Sequence, residues 1–460
     1  MPMTRKQGGR IVGASLAAAA VLALVVASVW WRRHPADHDE ASRPVAVIIS
    51  GDTAGWIVPC GCTSNQSGGL PRRGHYVDSA GQGAEVLVAD AGGAPGGTSP
   101  YQRLKFEAIL RGELAMGLAA HNVGGPEAAL GADYLRHVGD RLGVPFVSCN
   151  VRDSRGELVA ESVRVVRRGA RRVAVAGVLS PHYAATGLRV DDPREALVGV
   201  CARARGTYDT LVVLAYLPEE ELRQLAADLP EADAVVGGPT GQSIAPRRAG
   251  ATLLASATNK GKFLVHLEAS AGGGRPNWQG KVAEMGPGLA DDPGQRENLR
   301  VYLAELARHD FAADETGLAP MLPAGLPKNY RLAGDGACKM CHARDCKLWQ
   351  ASKHAEAWQT LVRHGAHVDP ACQQCHTTGY GLPGGFESMA RTPGAVSVRC
   401  EGCHGPCLAH VQQPTSRTPF VAADQCTRCH DPENSPRFVY KDYWPRIRHG
   451  APAKRLRSNR

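Results

Sequence analysis

Between Val45 and about Ala271, short apolar runs alternate with longer stretches of helical spacing. The runs Val45–Ser50, Glu85–Asp90, Arg172–Leu179, Thr210–Tyr216, Ala232–Val236 and Lys262–Ala269 are rich in Val, Leu and Ala. Their near-continuous hydrophobicity predicts strands buried on both faces. Tyr101–Ala120, Asp192–Ala204 and Glu219–Leu229 have the length and spacing of helices, and Asp291–His309 predicts one more. The mixture predicts a layered α/β domain over residues 45–285. Ala271–Pro276 is a Gly-rich break, and residues 286–329 read as the further helix and a Pro-rich linker, Pro320–Pro327. From about Tyr330 the composition changes sharply, which marks a second, mainly α domain over residues 330–450.

Ahead of the first strand, Ile11 to Trp31 is an unbroken run of 21 uncharged, mostly apolar residues. As a helix it would span about 31 Å at about 1.5 Å per residue, enough to cross a bilayer. Arg5, Lys6 and Arg10 precede it, so residues 1–33 predict an anchor that leaves the rest of the chain on the outer side. The expected location is the periplasmic side of a bacterial inner membrane. The alternative is a cleaved signal peptide and a soluble periplasmic protein, but the run ends in Val29-Trp30-Trp31 rather than a small-x-small site. His34 to Pro44 reads as a short polar linker.

The 460 residues are 43% hydrophobic and 21% charged, a globular balance. Aromatic residues are only 5%, so part of the chain packs around something other than side chains. The formal charge of +9 comes with no basic block interleaved with aromatics, which speaks against nucleic acid as a partner.

Cysteine and histidine carry the chemistry. Four C-x-x-C-H motifs lie between Cys338 and His430: Cys338-Lys-Met-Cys341-His342, Cys372-Gln-Gln-Cys375-His376, Cys400-Glu-Gly-Cys403-His404 and Cys426-Thr-Arg-Cys429-His430. By composition such a match arises at about 3 × 10⁻⁵ of positions, so four are not accidental. Two thiols at this spacing form thioethers to the vinyl groups of one haem, and the adjacent His binds the iron. Zinc or disulfides would explain a bare C-x-x-C, but not a fifth-position His in every copy. The expected cofactors are four covalently bound haem c groups, with His342, His376, His404 and His430 as proximal ligands. About 30 residues per haem is too few for a side-chain core, so the haems would form one, nearly touching. His354, His364, His367, His410 and His449 are candidates for the distal positions, with Met340 and Met389 weaker ones.

Residues 330–450 resemble the tetrahaem cytochrome c-554 family. The likeness rests on the four motifs, Trp349-Gln-Ala-Ser-Lys-His354-Ala, Cys375-His376-Thr-Thr-Gly379-Tyr380, Cys400-Glu401-Gly-Cys403-His404-Gly405-Pro406 with His410, and Arg448-His449-Gly450. The resemblance implies that His354, His410 and His449 are distal ligands to haems other than those attached beside them. It also implies that the haem on Cys372 and Cys375 is the one left five-coordinate, unless His364 or His367 closes it. Cys346 and Cys407 belong to no haem motif and read as a disulfide.

The α/β region resembles the metallophosphatase domain of 5′-nucleotidases. The matching segments are Asp52-Thr-Ala-Gly55, Gly68-Gly69-Leu70-Pro-Arg72-Arg73, Val88-Ala-Asp90-Ala-Gly92-Gly93, Pro145-Phe-Val-Ser-Cys-Asn150 and Val235-Val-Gly-Gly238-Pro-Thr240-Gly241. That family holds two metal ions at its strand ends. Here Ala54 stands for the His of the first motif, Gly93 for a bridging Asp, Val123-Gly-Gly-Pro-Glu127 for the Asn-His pair, Tyr216 for a strand-end His and Gly238-Pro239-Thr240-Gly241 for the last His pair. Only Asp52 survives, and one carboxylate cannot hold a dinuclear site, so no phosphatase activity is expected. Pro59-Cys60-Gly61-Cys62, with His75 nearby, reads either as a thiol redox or metal site or as part of a structural disulfide. Cys149 and Cys201 read as buried small residues or a disulfide, and Arg72 and Arg73 as solvated loop residues that at most bind an anion.

Together these features predict an exported, membrane-anchored tetrahaem cytochrome. It would carry electrons to or from redox partner proteins, with the ligand-depleted domain as scaffold or docking module. The alternative is a multihaem oxidoreductase acting on a small nitrogen or sulfur compound at a five-coordinate haem.

Overall fold

The computed structural model describes residues 43–59, 66–269, 277–416 and 420–450. The apolar run Ile11–Trp31 and the pair Cys60 and Cys62 lie outside these residues. Among the described residues no helix is long and apolar enough to cross a membrane.

The α/β domain contains strands β1 (Val45–Ser50), β2 (Glu85–Asp90), β3 (Leu118–Asn122), β4 (Phe146–Val147), β5 (Val151–Arg152), β6 (Val163–Arg168) and β7 (Arg171–Leu179). They continue with β8 (Arg189–Val190), β9 (Thr210–Tyr216), β10 (Ala234–Gly238), β11 (Ile244–Ala249), β12 (Thr252–Ser256), β13 (Phe263–Ala269) and β14 (Trp278–Glu284). Two six-stranded mixed sheets form, in the orders β14-β13-β1-β2-β3-β4 and β11-β12-β10-β9-β7-β6. Within them β1 to β4 and β7, β9, β10 and β12 run parallel, with antiparallel strands at the margins. The sheets pack face to face through alternate residues: Val45, Val47 and Ile49 of β1 meet Val173 and Val175 of β7 and Val212 and Leu214 of β9 in one core. The intervening residues bury against helices, Ile48 beside Val77, and Ala174 and Ala176 beside Leu197 and Leu222. Both faces of the central strands are therefore covered, as their unbroken hydrophobicity requires.

The helix expected over Tyr101–Ala120 is shorter. It spans Pro100–Ala115, and Leu118–Asn122 is β3. Gly117, at φ +83°, ends it in the left-handed region where glycine alone is unstrained. The helices Leu70–Gly81 and Ala132–Leu142 were not expected. Pro293–His309 is a helix, and it lies on the α/β domain: Gln295 Nε2 donates to Gly112 O at 2.8 Å, Asn298 Nδ2 to Ala108 O at 2.9 Å, and Arg111 pairs with Glu305 at 2.7 Å.

Beyond Tyr330 the chain forms helices of no more than eight residues, among them Asp335–Cys341, Ala343–Gln350, Pro370–His376, Cys400–His404 and Ala422–Thr427. Its apolar side-chain core centres on Ala313, Trp358, Leu361, Tyr380 and Phe386. Among the described residues this core is small for so many short helices, which agrees with a fold built around inserted groups.

Candidate functional site

Each C-x-x-C-H motif begins in a short helix and places its His at or just beyond the helix end. The first and third motifs are fastened to each other. Glu401 is buried and accepts from Ala333 N, Gly334 N and Cys407 N, each at 2.8 Å, while Arg399 pairs with Asp335 at 2.7 Å. The thiols follow the same arrangement. Cys338 hydrogen-bonds Cys400, Cys403 lies beside Cys426 and Cys429, and Cys429 hydrogen-bonds Cys375. In space the motifs therefore run first, third, fourth, second.

Three of the four motif histidines face a second histidine. The ring centroids of His342 and His410 lie 6.2 Å apart, those of His354 and His430 6.2 Å, and those of His404 and His449 5.8 Å. An iron held by two imidazoles spans about 6.4 Å between ring centres, from metal–nitrogen bonds of about 2.0 Å and roughly 1.2 Å from each nitrogen to its ring centre. The donor set and its spacing thus fit haem iron held between paired imidazoles. Burial, followed by neighbouring imidazoles, pushes His354 and His404 below the ordinary histidine value, and burial leads the same shift at His430, which favours the neutral form that binds metal. Backbone carbonyls orient other rings through Nδ1: Ala357 O for His376, Ser416 O for His410 and Ile447 O for His449, at 2.8, 2.7 and 2.8 Å.

His376, of the second motif, lies near His354 and His430. His364 is exposed, and His367 packs edge-on against Trp358 at 6.0 Å. Met340 is 81% exposed, and Met389 packs against the small core around Trp358 and Phe386. The expected disulfide of Cys346 and Cys407 is not formed. Cys346 is a buried thiol on Cys400, and the Cys407 Sγ donates to Gly405 O at 3.2 Å. Cys149 and Cys201 are likewise free thiols.

The α/β cleft is filled rather than open. Tyr216 projects from β9 across three glycines: a Cβ on Gly93 would lie 2.8 Å from its ring, one on Gly124 2.8 Å and one on Gly125 3.2 Å. Tyr183 closes the other side of the ring, edge-on at 5.1 Å. Asp52 remains at the end of β1, held by Thr258 Oγ1 at 2.6 Å and Asn259 N at 3.3 Å, and burial raises its pKa above the ordinary carboxylate value.

Behind Tyr216 lies a polar cluster that the sequence reading missed. His121 Nδ1 meets Glu113 at 2.9 Å and its Nε2 meets Glu127 at 3.2 Å, all fully buried. Glu127 also accepts from Gly93 N and Ala94 N at 2.9 and 2.8 Å. Asp90, beside them, accepts from Ser50 Oγ at 2.5 Å and Gly92 N at 2.7 Å. Arg73 is not a solvated loop residue: it is 1% exposed, on a helix, bonded to Thr53 Oγ1 at 2.7 Å and in the field of Glu113 and Asp90. Arg73 and Glu113 line a cavity of about 10 Å³, the scale of one water molecule. Asp90, Glu113 and His121 are close enough to share a metal ion. The guanidinium of Arg73 and the engagement of both His121 nitrogens by carboxylates join the group into one buried ion-pair network. Its signal in the sequence was a pair of polar residues, His121-Asn122, closing an apolar strand.

Residues 337–405 match the family model described as cytochrome c554 and c-prime. Cytochrome c-554 of Nitrosomonas europaea is 32% identical over 88 residues, an alignment taking in 16% of this chain and 37% of that protein. The chain therefore spans little more than a third of this curated relative. Among solved structures, a 5′-nucleotidase precursor of Thermus thermophilus superposes with a TM-score of 0.50 at 21% identity, over 59% of this chain and 60% of that one. A calcineurin-like phosphoesterase of Bacillus subtilis gives 0.49 at 15% identity, over 57% of this chain and 97% of its own. The C-terminal region is thus similar to cytochrome c554 over residues 337–405. The N-terminal region has the layered fold of the nucleotidase, a likeness of fold alone.

Proposed function

We infer that the chain is a tetrahaem c-type cytochrome that relays electrons between redox partner proteins on the outer face of a bacterial inner membrane. One observation carries this reading: three motif histidines each face a histidine from a distant part of the chain at the span of a doubly ligated iron. When bound, haem c supplies reversible one-electron transfer. Cys338 and Cys341, Cys372 and Cys375, Cys400 and Cys403, and Cys426 and Cys429 would hold the four groups. His342, His376, His404 and His430 would be the proximal ligands, and His410, His449 and His354 would cap the first, third and fourth irons. The protein's own work is to fix ring orientation through backbone carbonyls and to lock neighbouring motifs through Glu401 and Arg399. The thiol contacts support a continuous path from the first motif through the third and fourth to the second.

The run Ile11–Trp31 supports an anchor, and thioether attachment supports the exported side. Residues 45–285 form a scaffold or docking domain, 286–329 join it to the cytochrome, and 330–450 carry the haems. Tyr216 packed over Gly93, Gly124 and Gly125 supports a non-catalytic role for the α/β domain. The test is haem quantitation and mass of the purified protein, beside a phosphoesterase assay with added Mn²⁺ or Zn²⁺. Four haems and no chelator-sensitive hydrolysis are expected. Fewer haems, or substantial hydrolysis abolished by a chelator, would overturn the reading.

A further inference from the structure

The helix Pro100–Ala115 of the α/β domain and the helix Pro293–His309 that lies on it both pack against the segment leading into Cys372 and Cys375. Tyr101, in the helix Pro100–Ala115, is fully buried, and its hydroxyl donates to Asp369 Oδ1 at 2.7 Å. Lys105, one turn along the same helix, donates to the Tyr101 oxygen at 3.1 Å. Asp369 Oδ1 also accepts from Ala371 N at 2.9 Å, and so caps the helix Pro370–His376. Tyr302, from the helix Pro293–His309, is buried with its hydroxyl toward Tyr101 and Asp369. Val368 and Ala371 pack directly onto the core that contains both tyrosines. A second contact falls on the fourth motif: Lys260 pairs with Glu433, and Gln66 Nε2 donates to Glu433 O at 2.6 Å.

The start of the second haem helix is thus not built by the cytochrome region alone. Its capping carboxylate is oriented and partly neutralised by a donor from the other domain. We propose that Tyr101 is a positioning residue for the haem carried by Cys372 and Cys375, and that the α/β domain, through the relay Lys105–Tyr101–Asp369, walls that haem's pocket and tunes its potential. This rests on the four-haem reading above, and it gives the domain a role beyond scaffolding.

The sign follows from charge. Asp369 lies three residues before Cys372, and hydrogen bonds spread its negative charge. Losing the Tyr101 donor concentrates that charge beside the haem and favours the ferric state. Removing the charge itself does the reverse.

The experiment is a spectroelectrochemical titration of the full haem-loaded chain, with hydrogen exchange of residues 369–376 as a second readout. In Tyr101→Phe, one of four midpoint potentials falls and exchange in that helix quickens. In Asp369→Asn the same component rises. Lys105→Met, at a half-buried residue, lowers it by less and serves if Tyr101→Phe does not accumulate. Opposite shifts confined to one haem support the proposal, because a merely structural loss would disturb several components in one direction. Four haems with unchanged midpoints in all three variants would overturn it and leave the four-haem reading standing. A wild-type haem count below four would instead overturn that earlier reading.

Discussion

The imidazole of His354 faces that of His430 with ring centroids 6.2 Å apart, although the two stand in separate turns far apart in the chain. The fit is held from outside the pair. Val398 N donates to His354 O at 3.2 Å, and Val398 O accepts from Trp349 Nε1 at 2.7 Å, so the turn carrying His354 is pinned beside the third motif. Replacing His354 with Ala would remove one side of this clamp without touching a thioether site. One haem should then change from low-spin to high-spin while the haem count stays the same. The same holds for His410→Ala and His449→Ala. Electron paramagnetic resonance of each variant checks this, and an unchanged low-spin spectrum would reject that pairing.

Glu401 joins two motifs by accepting three backbone N–H groups. Its loss would strand three donors in a buried place, at about 1–3 kcal/mol for each one left unmet. Glu401→Ala should therefore lower thermal stability by more than about 3 kcal/mol, and Glu401→Gln by less, since one amide oxygen still accepts. Calorimetry of the haem-loaded protein measures both. Equal and small losses would show that the carboxylate is not what fastens the first motif to the third.

Gly124 has an ordinary backbone conformation, φ −81°, so alanine there would be unstrained in isolation. Its Cβ would nevertheless lie 2.8 Å from both the Tyr216 ring and Glu127 Oε2. Gly124→Ala should cost about 1–3 kcal/mol by overpacking. Tyr216→His, which shortens the ring side chain, should recover part of that cost in the double variant. Independent, additive effects in urea unfolding would mean that Tyr216 does not fill the cleft as described.

The buried cluster gives a pH dependence of definite sign. Burial, with Asp90 adding to it, pushes Glu113 up to about 7 from an ordinary 4.5. Burial alone would lower His121, but Glu113 and Asp90 outweigh it and hold the imidazole well above its ordinary 6.5. The folded state thus keeps protons that the unfolded chain releases, Glu113 between about 4.5 and 7 and His121 above 6.5. This contribution is complete at low pH and is lost as pH rises through neutrality. The urea midpoint of the α/β domain, followed by circular dichroism, should be higher at pH 6 than at pH 9, and Glu113→Gln with His121→Gln should flatten the slope. A midpoint that climbs over this range would contradict the assignment.

Much of the fold was legible because its central strands announce themselves. β1, β2, β7, β9 and β13 read as apolar runs, since both their faces are covered. The edge strands β6, β11 and β14 did not, because half or more of their residues meet solvent and several are Arg or Lys. The helix Leu70–Gly81 was hidden by a proline and two glycines, and its buried Arg73 reads as polar in any periodicity. In the cytochrome region the motif histidines were plain from spacing. The facing histidines were not, since nothing local distinguishes His410 from His364, and only family likeness singled them out. The ion cluster around His121 was out of reach because its members come from two strands and three helices and meet only in three dimensions.

The central claim is that paired histidines hold haem iron in this chain. Its most direct test is the low-temperature electron paramagnetic resonance spectrum of the oxidised, haem-loaded wild-type protein, integrated against its haem content. The account predicts four haems, with at least three giving low-spin signals of irons held by two imidazoles. A high-spin signal from the remaining one would point to an open site at the haem on Cys372 and Cys375. Fewer than three low-spin haems, or a protein that carries none, would contradict it.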